Sequence, residues 1–313
     1  MYGKIVVTGG GGFLGKHVVR QLLESGYADD QIIVPRHITY DLTDRYDCEK
    51  LFYSNGNPET VIHLAASCGG IGANRENPGY YFYENIMMGL NVIEAARNFG
   101  VQKFVMVGTV CSYPKYCPVP FNEEDIWNGY PEETNAPYGI AKKALYTMLK
   151  AYEDQFGFNS TVLIPSNLYG PGDNFDPRFS HVIPALILKF KQAMDDNHRD
   201  VELWGTGNAT REFLYVEDAA EAIVKSLSVH TGSDPINVGT GDEISIKDLA
   251  NNIAHMMGFK GKIAFDTSMP DGQPRRCVDT RKAARILDFK SKTCINTGLR
   301  KAIDWFLSTY QCI

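Results

Sequence analysis

Tyr138 and Lys142 are the side chains whose types and spacing most directly suggest chemistry. Residues four apart lie on one face of a helix, so a helix through both brings the ammonium close to the phenol. A nearby ammonium favours the phenolate, and we expect it to lower the tyrosine pKa from its ordinary value of about 10. Such a tyrosine can act as an acid or a base on a carbonyl or an alcohol. A pair at this spacing also occurs by chance, so its position after a predicted strand of the sheet matters.

A glycine-rich segment, residues 8–15 (TGGGGFLG), follows the short apolar run of residues 5–7 and precedes a helical pattern. Gly9 can turn tightly, Gly12 lets the backbone approach a pyrophosphate, and Gly15 lets the helix pack closely on the strand. The helix N-terminus adds free N–H groups and a partial positive charge. The alternative is a tight turn without a ligand. The strand before the glycines, their three-residue spacing and the helix after them together disfavour that alternative. The residues predicted to contact the dinucleotide are Gly9, Gly12, Phe13, Leu14 and Gly15.

The residues after the second predicted strand indicate which dinucleotide binds. An NAD site usually has an acidic residue here, against the ribose 2′-hydroxyl, and an NADP site has a cation. Arg36 has the forked geometry that suits a 2′-phosphate, and no carboxylate occurs until Asp41. The sequence therefore favours NADP. The alternative is that Arg36 is a solvated loop residue.

The elements that position these residues alternate between strand and helix over the first two thirds of the chain. Apolar runs predict strands, and helical spacing predicts helices between them, which together indicate an α/β fold with a Rossmann-type, doubly wound parallel sheet. The predicted strands are residues 5–7, 32–34, 60–64, 103–107 and 161–164, and the later helices are residues 85–99 and 138–155.

After Pro165 the alternation is interrupted, which predicts a smaller, discontinuous C-terminal lobe that binds the substrate. A helix is predicted at residues 181–194 and an extended segment at 201–204. Residues 213–228 and 236–238 are expected to return to the sheet, and 263–265 to form an isolated extended segment. The predicted domains are residues 1–166 with 212–241 for NADP and 167–211 with 242–313 for the substrate.

Composition excludes several classes of protein. In 313 residues, 44% hydrophobic and 22% charged residues match a globular protein and exclude disordered, collagen-like and coiled-coil chains. A formal net charge of −6 argues against nucleic acid or an anionic membrane as a partner. No apolar run approaches the roughly 20 residues that span a bilayer. Seven scattered cysteines without a CxxC pair argue against a disulfide framework and a zinc knuckle, so we expect a cytoplasmic protein. Residues 1–7 lead directly into a predicted strand without a charged leader or an apolar core, so we expect no secretion leader.

The glycine-rich segment, residues 63–66 (HLAA) and the Tyr138/Lys142 pair resemble the extended short-chain dehydrogenase/reductases. Within that superfamily, further segments in the same order closely resemble the GDP-L-fucose synthase family, and the resemblance covers essentially the whole chain. These segments are residues 69–74 (GGIGAN), 111–115 (CSYPK), 135–138 (NAPY), 167–175 (NLYGPGDNF), 180–186 (SHVIPAL), and 204–207 (WGTG) with 211–216 (REFLYV).

The resemblance implies conversion of GDP-4-keto-6-deoxy-D-mannose to GDP-L-fucose, by epimerisation at C3 and C5 and reduction of the C4 ketone with NADPH. It implies that Cys111 removes a proton next to the ketone and that His181 delivers one to the opposite face. Without it, Cys111 is an ordinary buried thiol and His181 a residue at a helix start. In the reduction, Tyr138 would protonate the alkoxide and Lys142 would hold the ribose. Thr109 would supply the hydroxyl that the family usually takes from a serine.

The resemblance also implies binding residues for the cofactor and for a GDP-linked keto sugar. Lys189 stands where an arginine is usual, which keeps the charge but loses the bidentate fork. A homodimer is expected through the helix that carries Tyr138 and the long helix before it, which bears Ile86, Leu90, Ile93 and Ala96. Besides the glycine-rich segment, the cofactor residues are Arg36, Asp41, Lys142, Asn167, Leu168 and His181. The substrate residues are Lys189, Trp204, Arg211 and Asp271.

Other activities remain open at this point. A C4 ketoreductase, with or without epimerisation, of a related GDP-4-keto sugar such as a GDP-6-deoxy-heptose would need the same hydride machinery. A 4,6-dehydratase would need an acidic residue beside Thr109, where Val110 and Cys111 stand instead. A non-catalytic NADP-sensing protein is a remote alternative, because such a protein commonly lacks the tyrosine or the lysine.

Overall fold

The computed structural model describes residues 3–196, 200–229, 232–269 and 271–310. Its strands are β1 (Ile5–Thr8), β2 (Ile32–Ile33), β3 (Thr60–His63), β4 (Lys103–Val107), β5 (Ser160–Pro165), β6 (Asn167–Tyr169), β7 (Asp200–Trp204), β8 (Thr210–Tyr215), β9 (Ile236–Val238), β10 (Glu243–Ser245), β11 (Lys262–Asp266) and β12 (Arg275–Arg276). Its helices are α1 (Phe13–Glu24), α2 (Arg45–Ser54), α3 (Ile71–Glu76), α4 (Pro78–Asn98), α5 (Ala136–Phe156), α6 (Val182–Asp195), α7 (Val216–Lys225), α8 (Ile246–Met257), α9 (Arg281–Leu287) and α10 (Ile295–Tyr310).

The main sheet is parallel throughout, in the order β2-β1-β3-β4-β5-β9. Successive residues of β1 point to opposite faces: Ile5 and Val7 pack with α1 and α7, whereas Val6 packs with α2, α4 and α5. Because both faces are covered, the strands are continuous apolar runs. The predicted doubly wound α/β fold is confirmed.

The two long helices α4 and α5 pack against each other on one face of this sheet. Each is longer than predicted at its N-terminus, and each has a proline in its first turn, where the missing N–H costs no helical hydrogen bond. Helix α5 ends at Gly157, whose φ of 66° is left-handed. The N-terminal extension of α5 by two residues places Tyr138 in the first turn of the helix.

A second hydrophobic core, which includes residues of α6, β7, β8, α8 and α10, defines what we call the second lobe, and this lobe contains two small sheets. One has the order β10-β8-β12 with β6 also paired to β8, and the other pairs β7 with β11 in parallel. The prediction of an isolated segment at residues 263–265 is wrong, because Ile263 pairs with Val201 across about 60 residues of chain. The prediction that residues 213–228 return to the main sheet is also wrong for β8, which joins the second lobe, while α7 packs on α1.

Strand β8 connects the two lobes. Phe213 and Tyr215 face the core of the second lobe, whereas Leu214 between them packs with α7 and β9 in the core of the main sheet. The predicted domain boundary at residues 211 and 212 falls inside this strand, and α9 packs on β9 rather than within the second lobe. The division into two domains stays a prediction.

No helix in the described part of the chain combines the length and the apolar character needed to cross a membrane.

Candidate active site

A cavity of about 670 Å³ opens at the carboxyl ends of β1, β3, β4 and β5. The strand order of the main sheet reverses at β1, which has β2 on one side and β3 on the other. Ligands of open α/β sheets bind at such a switch point. Both the main sheet and the segment leading into α6 line the cavity. The predicted site residues among its lining are Gly9, Gly12, Phe13, Leu14, Gly15, Thr109, Cys111, Tyr138, Lys142, Asn167, Leu168 and His181.

The glycine-rich loop has no room for side chains. A Cβ on Gly15 would lie 2.1 Å from the carbonyl oxygen of Gly9, and Gly9 itself has a φ of +71°. Gly12 caps α1 without any side chain bonded to the free N–H groups of the first turn. A pyrophosphate suits this cradle, because free helical N–H groups and close backbone approach are what it requires. The residues present therefore fit a dinucleotide.

Arg36 and Asp41 lie beside the cavity rather than in its lining. A Cβ on Gly11 would be 2.8 Å from Nη1 of Arg36, so the guanidinium lies over the glycine-rich loop. Asp41 accepts hydrogen bonds from the N–H and hydroxyl of Thr43, at 2.9 and 2.7 Å, and these bonds lower its pKa. Asp41 thus has a structural role in a turn, whereas the cofactor role of both residues stays a prediction.

Tyr138 and Lys142 both line the cavity from α5. Burial raises the pKa of Tyr138 well above its ordinary value, with a further contribution from Cys68, whose Sγ lies 3.5 Å from the tyrosine oxygen. The expected lowering of this pKa is therefore wrong, because the cost of burying the phenolate exceeds the effect of the ammonium. Burial also lowers the pKa of Lys142, which is 1% exposed, to about 8.

Thr109 and Cys111 lie in a short turn after β4. The Thr109 hydroxyl oxygen accepts the N–H of Cys111 at 3.1 Å, and the Thr109 N–H donates to the Tyr146 hydroxyl at 3.1 Å. Gly139 allows this turn to approach α5, since a Cβ there would be 2.2 Å from the Cys111 carbonyl oxygen. The backbone contact at Gly139 brings Cys111 alongside Tyr138.

His181 caps α6 and faces the same cavity. Burial lowers the pKa of its imidazole. The cavity therefore holds a thiol, a phenol, an amine and an imidazole. Such a set can move protons at several atoms of one substrate.

Cys68 and Asp173 also line the cavity, and neither of them was predicted from the sequence to have a role. Cys68, after β3, contacts the Tyr138 hydroxyl. Asp173 has one carboxylate oxygen buried without a hydrogen-bond partner in the described chain, and burial raises its pKa to about 7. A sequence signal for both existed, because Cys68 precedes the GGIGAN segment and Asp173 lies within NLYGPGDNF.

The four predicted substrate residues lie outside the cavity lining, in the second lobe. Asp271 accepts the N–H of Thr206 at 2.6 Å, and its carbonyl oxygen accepts from Arg211 at 3.4 Å. Trp204, two residues before Thr206, is 63% exposed. Lys189 of α6 donates to the carbonyl of Glu202 in β7 at 3.1 Å. Burial, with a smaller contribution from Arg276, lowers the pKa of Arg211 to about 10.

The described residues contain no group of three His, Cys, Asp or Glu side chains that could hold a metal ion.

Residues 5–239 match the NAD dependent epimerase/dehydratase family. The chain is 39% identical over 304 residues to GDP-L-fucose synthase 1 from Arabidopsis thaliana, which covers 97% of this chain and 93% of that protein. The structure resembles a GDP-6-OMe-4-keto-L-xylo-heptose reductase from C. jejuni, with a TM-score of 0.90, 28% identity and 98% of each chain covered. It also resembles a GDP-L-fucose synthetase from Naegleria fowleri bound to NADP, with a TM-score of 0.86, 29% identity and coverage of 99% and 95%.

Proposed function

Because this chain belongs to the NAD dependent epimerase/dehydratase family, we propose that it converts a GDP-4-keto-6-deoxy-mannose-type sugar to GDP-L-fucose with NADPH. The cavity that gathers Cys111, His181, Tyr138 and Lys142 is the observation that carries this proposal. Similarity to GDP-L-fucose synthases over nearly the full chain supports it.

The epimerisation uses the thiol and the imidazole. Cys111, as a thiolate, takes a proton from the carbon beside the ketone, which leaves an enolate. His181, once protonated, delivers a proton to the opposite face of that carbon. A ketone at C4 acidifies the C–H bonds at both C3 and C5, so one pair of residues can serve both positions.

The reduction uses Tyr138 and Lys142. NADPH, when bound, supplies a hydride to C4. The raised pKa of Tyr138 keeps its phenol protonated, as a donor to the developing alkoxide requires. Thr109 accepts the N–H of Cys111 and so keeps its own hydroxyl proton for the substrate oxygen. Lys142 holds the cofactor ribose, and Arg36 the 2′-phosphate.

The GDP portion binds on the surface of the second lobe. Arg211 and Lys189 supply positive charge for the diphosphate, and the exposed ring of Trp204 offers a flat apolar face. Asp271 positions the GDP group indirectly, because its carboxylate accepts the N–H and the hydroxyl of Thr206.

A C4 ketoreductase that acts on a GDP-4-keto heptose without epimerisation is the second candidate. The similarity to a heptose reductase of C. jejuni favours it. Tyr138 and Lys142 would serve both reactions, whereas only the epimerase needs Cys111 and His181 as a proton-transfer pair.

Incubation with GDP-4-keto-6-deoxymannose in heavy water, without cofactor, tests the proposal. We expect deuterium at C3 and C5 by NMR, and its loss in Cys111→Ala. Tyr138→Phe is the matched control: it should retain the exchange but lose NADPH oxidation by about a hundredfold or more. No deuterium together with NADPH oxidation would establish the ketoreductase, and neither activity with any keto sugar would exclude an enzyme of this class.

We also propose a cytoplasmic homodimer. The described cysteines Cys48, Cys68, Cys111, Cys117, Cys277 and Cys294 are free thiols, which supports a reducing compartment, and Cys312 lies outside the described residues. Of the apolar residues expected at the dimer helix, Ile93 and Ala96 are buried in the core, Leu90 is partly buried against it, and Ile86 is partly exposed. Exposed Tyr83 extends this surface of α4.

A further inference from the structure

Arg276 of the second lobe reaches the thiol of Cys111 in the main lobe. Its Nη1 lies 3.9 Å from the Cys111 Sγ, within the distance of a hydrogen bond to sulfur. The contact joins residues 165 positions apart in the chain. It therefore depends on how the two lobes pack.

Two attachments hold the guanidinium in this position. Strand β12 pairs with β8, where Arg276 is opposite Arg211. The Arg276 Nε donates to the side-chain oxygen of Gln273 at 3.2 Å, and Gln273 in turn donates to the carbonyl of Lys115 at 3.0 Å. Because Lys115 follows Cys111 closely in the same loop, Gln273 ties the arginine to the segment that carries the thiol.

Two guanidiniums face the thiol of Cys111. The titratable groups that face Cys111 from the packed elements are Cys68, Tyr138 and Tyr146, together with Arg211 and Arg276. Only the two guanidiniums carry charge at neutral pH. Arg276 has no ion pair with a carboxylate among the described residues, whereas its neighbour Arg275 pairs with Glu243. A thiolate at Cys111 is thus the anion that Arg276 can contact.

We propose that Arg276 is a positioning residue that stabilises the thiolate of Cys111 and aims its Sγ at the substrate carbon. This inference rests on the proposed function for its catalytic consequence. In that step the C–H bond breaks and an S–H bond forms, and the electron pair moves to the ketone oxygen as an enolate. The later C–H bond forms as the His181 N–H bond breaks. Arg276 itself exchanges no proton, because a guanidinium stays charged in proteins.

Alkylation of Cys111 by iodoacetamide between pH 5.5 and 9.5, followed peptide by peptide with mass spectrometry, tests the contact without any substrate. An opposite charge in contact with an acidic group favours the ionised form of that group. We expect Arg276→Gln to slow Cys111 alkylation at pH 7 about tenfold and to move its profile toward higher pH, with Arg276→Lys partly restoring both. An unchanged profile in Arg276→Gln would overturn the proposal.

Two matched controls accompany this experiment. Arg275→Gln removes the same charge one residue away, at a side chain bonded to Glu243, and should leave the Cys111 profile unchanged. Cys294, an exposed free thiol just before α10, serves as an internal reference in each sample. If Arg276→Gln fails to fold, Gln273→Ala releases the guanidinium while keeping its charge, and an intermediate slowing is expected.

The result separates this inference from the proposed function. A shifted alkylation profile with no deuterium exchange would retain the role of Arg276 and remove the epimerase assignment. Deuterium exchange together with an unshifted alkylation profile would retain the epimerase assignment and remove the role of Arg276. When the role of Arg276 and the epimerase assignment are both correct, the pH profile of deuterium exchange in Arg276→Gln should shift in the same direction as the pH profile of alkylation.

Discussion

At the scale of the residue, His63 at the end of β3 is neutral beneath the cavity. Its side chain is fully buried, and its Nδ1 lies 2.8 Å from the Thr8 hydroxyl oxygen. Burial lowers the pKa of His63 to about 3, with a smaller contribution from Lys142. A neutral ring so close to Lys142 avoids a second positive charge in the protein interior.

We predict that this histidine makes the protein less stable in mild acid. The unfolded chain binds a proton at His63 below about pH 6.5, and the folded chain binds it only near pH 3. The free energy of unfolding therefore falls as the pH decreases through this window, by up to about 1.4 kcal/mol per pH unit from this group. Urea denaturation between pH 4.5 and 7.5 should show a shallower decline in His63→Gln.

The exposed His255 of α8 provides the control for this measurement. His255→Gln should retain the decline of the wild-type protein. Equal slopes in His63→Gln and the wild type would contradict the assignment of the linked proton to His63.

At the scale of the element, the first turn of α1 and the strand before it determine whether the cofactor can approach. Gly15 lies where helix and loop are in backbone contact, with Gly9 and Gly10 as its neighbours. Any side chain at this position must displace backbone atoms. The phosphate-binding geometry of the loop depends on that contact.

We predict that Gly15→Ala weakens NADPH binding by about tenfold or more, because its Cβ would lie 2.1 Å from the Gly9 carbonyl oxygen. Fluorescence titration of NADPH measures the effect. Gly79→Ala is the matched control, since this glycine lies in the first turn of α4 with no atom within 4 Å of the added Cβ. Unchanged affinity in Gly15→Ala would show that the loop adapts and that the close approach is dispensable.

At the scale of the whole molecule, the buried carboxylate of Glu212 joins segments of both lobes. Its Oε1 accepts the N–H groups of Thr240 and Gly241, at 2.5 and 3.1 Å, and its Oε2 accepts that of Val278 at 2.7 Å. Glu212 belongs to β8, Thr240 follows β9, and Val278 follows β12. One side chain thus holds together the strands on which the cavity and Arg276 depend.

We predict that Glu212→Ala lowers the free energy of unfolding by about 3 kcal/mol or more, because three backbone N–H groups lose their acceptor. Chemical denaturation of the full chain measures this loss, and Glu212→Gln, which keeps one acceptor oxygen, should lose less. Asp242→Ala at a neighbouring exposed position should be nearly neutral. A Glu212→Ala protein as stable as the wild type would contradict the role of this carboxylate.

Local patterns in the sequence by themselves determined the strand–helix alternation, the glycine-rich loop and the Tyr138/Lys142 pair, because each depends on residues a few positions apart. The parallel sheet followed from the same patterns, since its strands are apolar on both faces. Motif resemblance added Cys111 and His181, which local physics alone leaves as an ordinary thiol and a helix-start histidine. The structure gathers both around one cavity.

Only the tertiary structure decided the contacts between distant segments. Cys68 meets Tyr138 across 70 residues and Arg276 meets Cys111 across 165, and β11 pairs with β7. The direction of the Tyr138 pKa shift also depended on the fold, because the cost of burying a charge is set by every segment packed around it. Spacing along a helix places two side chains side by side, but the packing of both lobes decides how much water and which charges surround them.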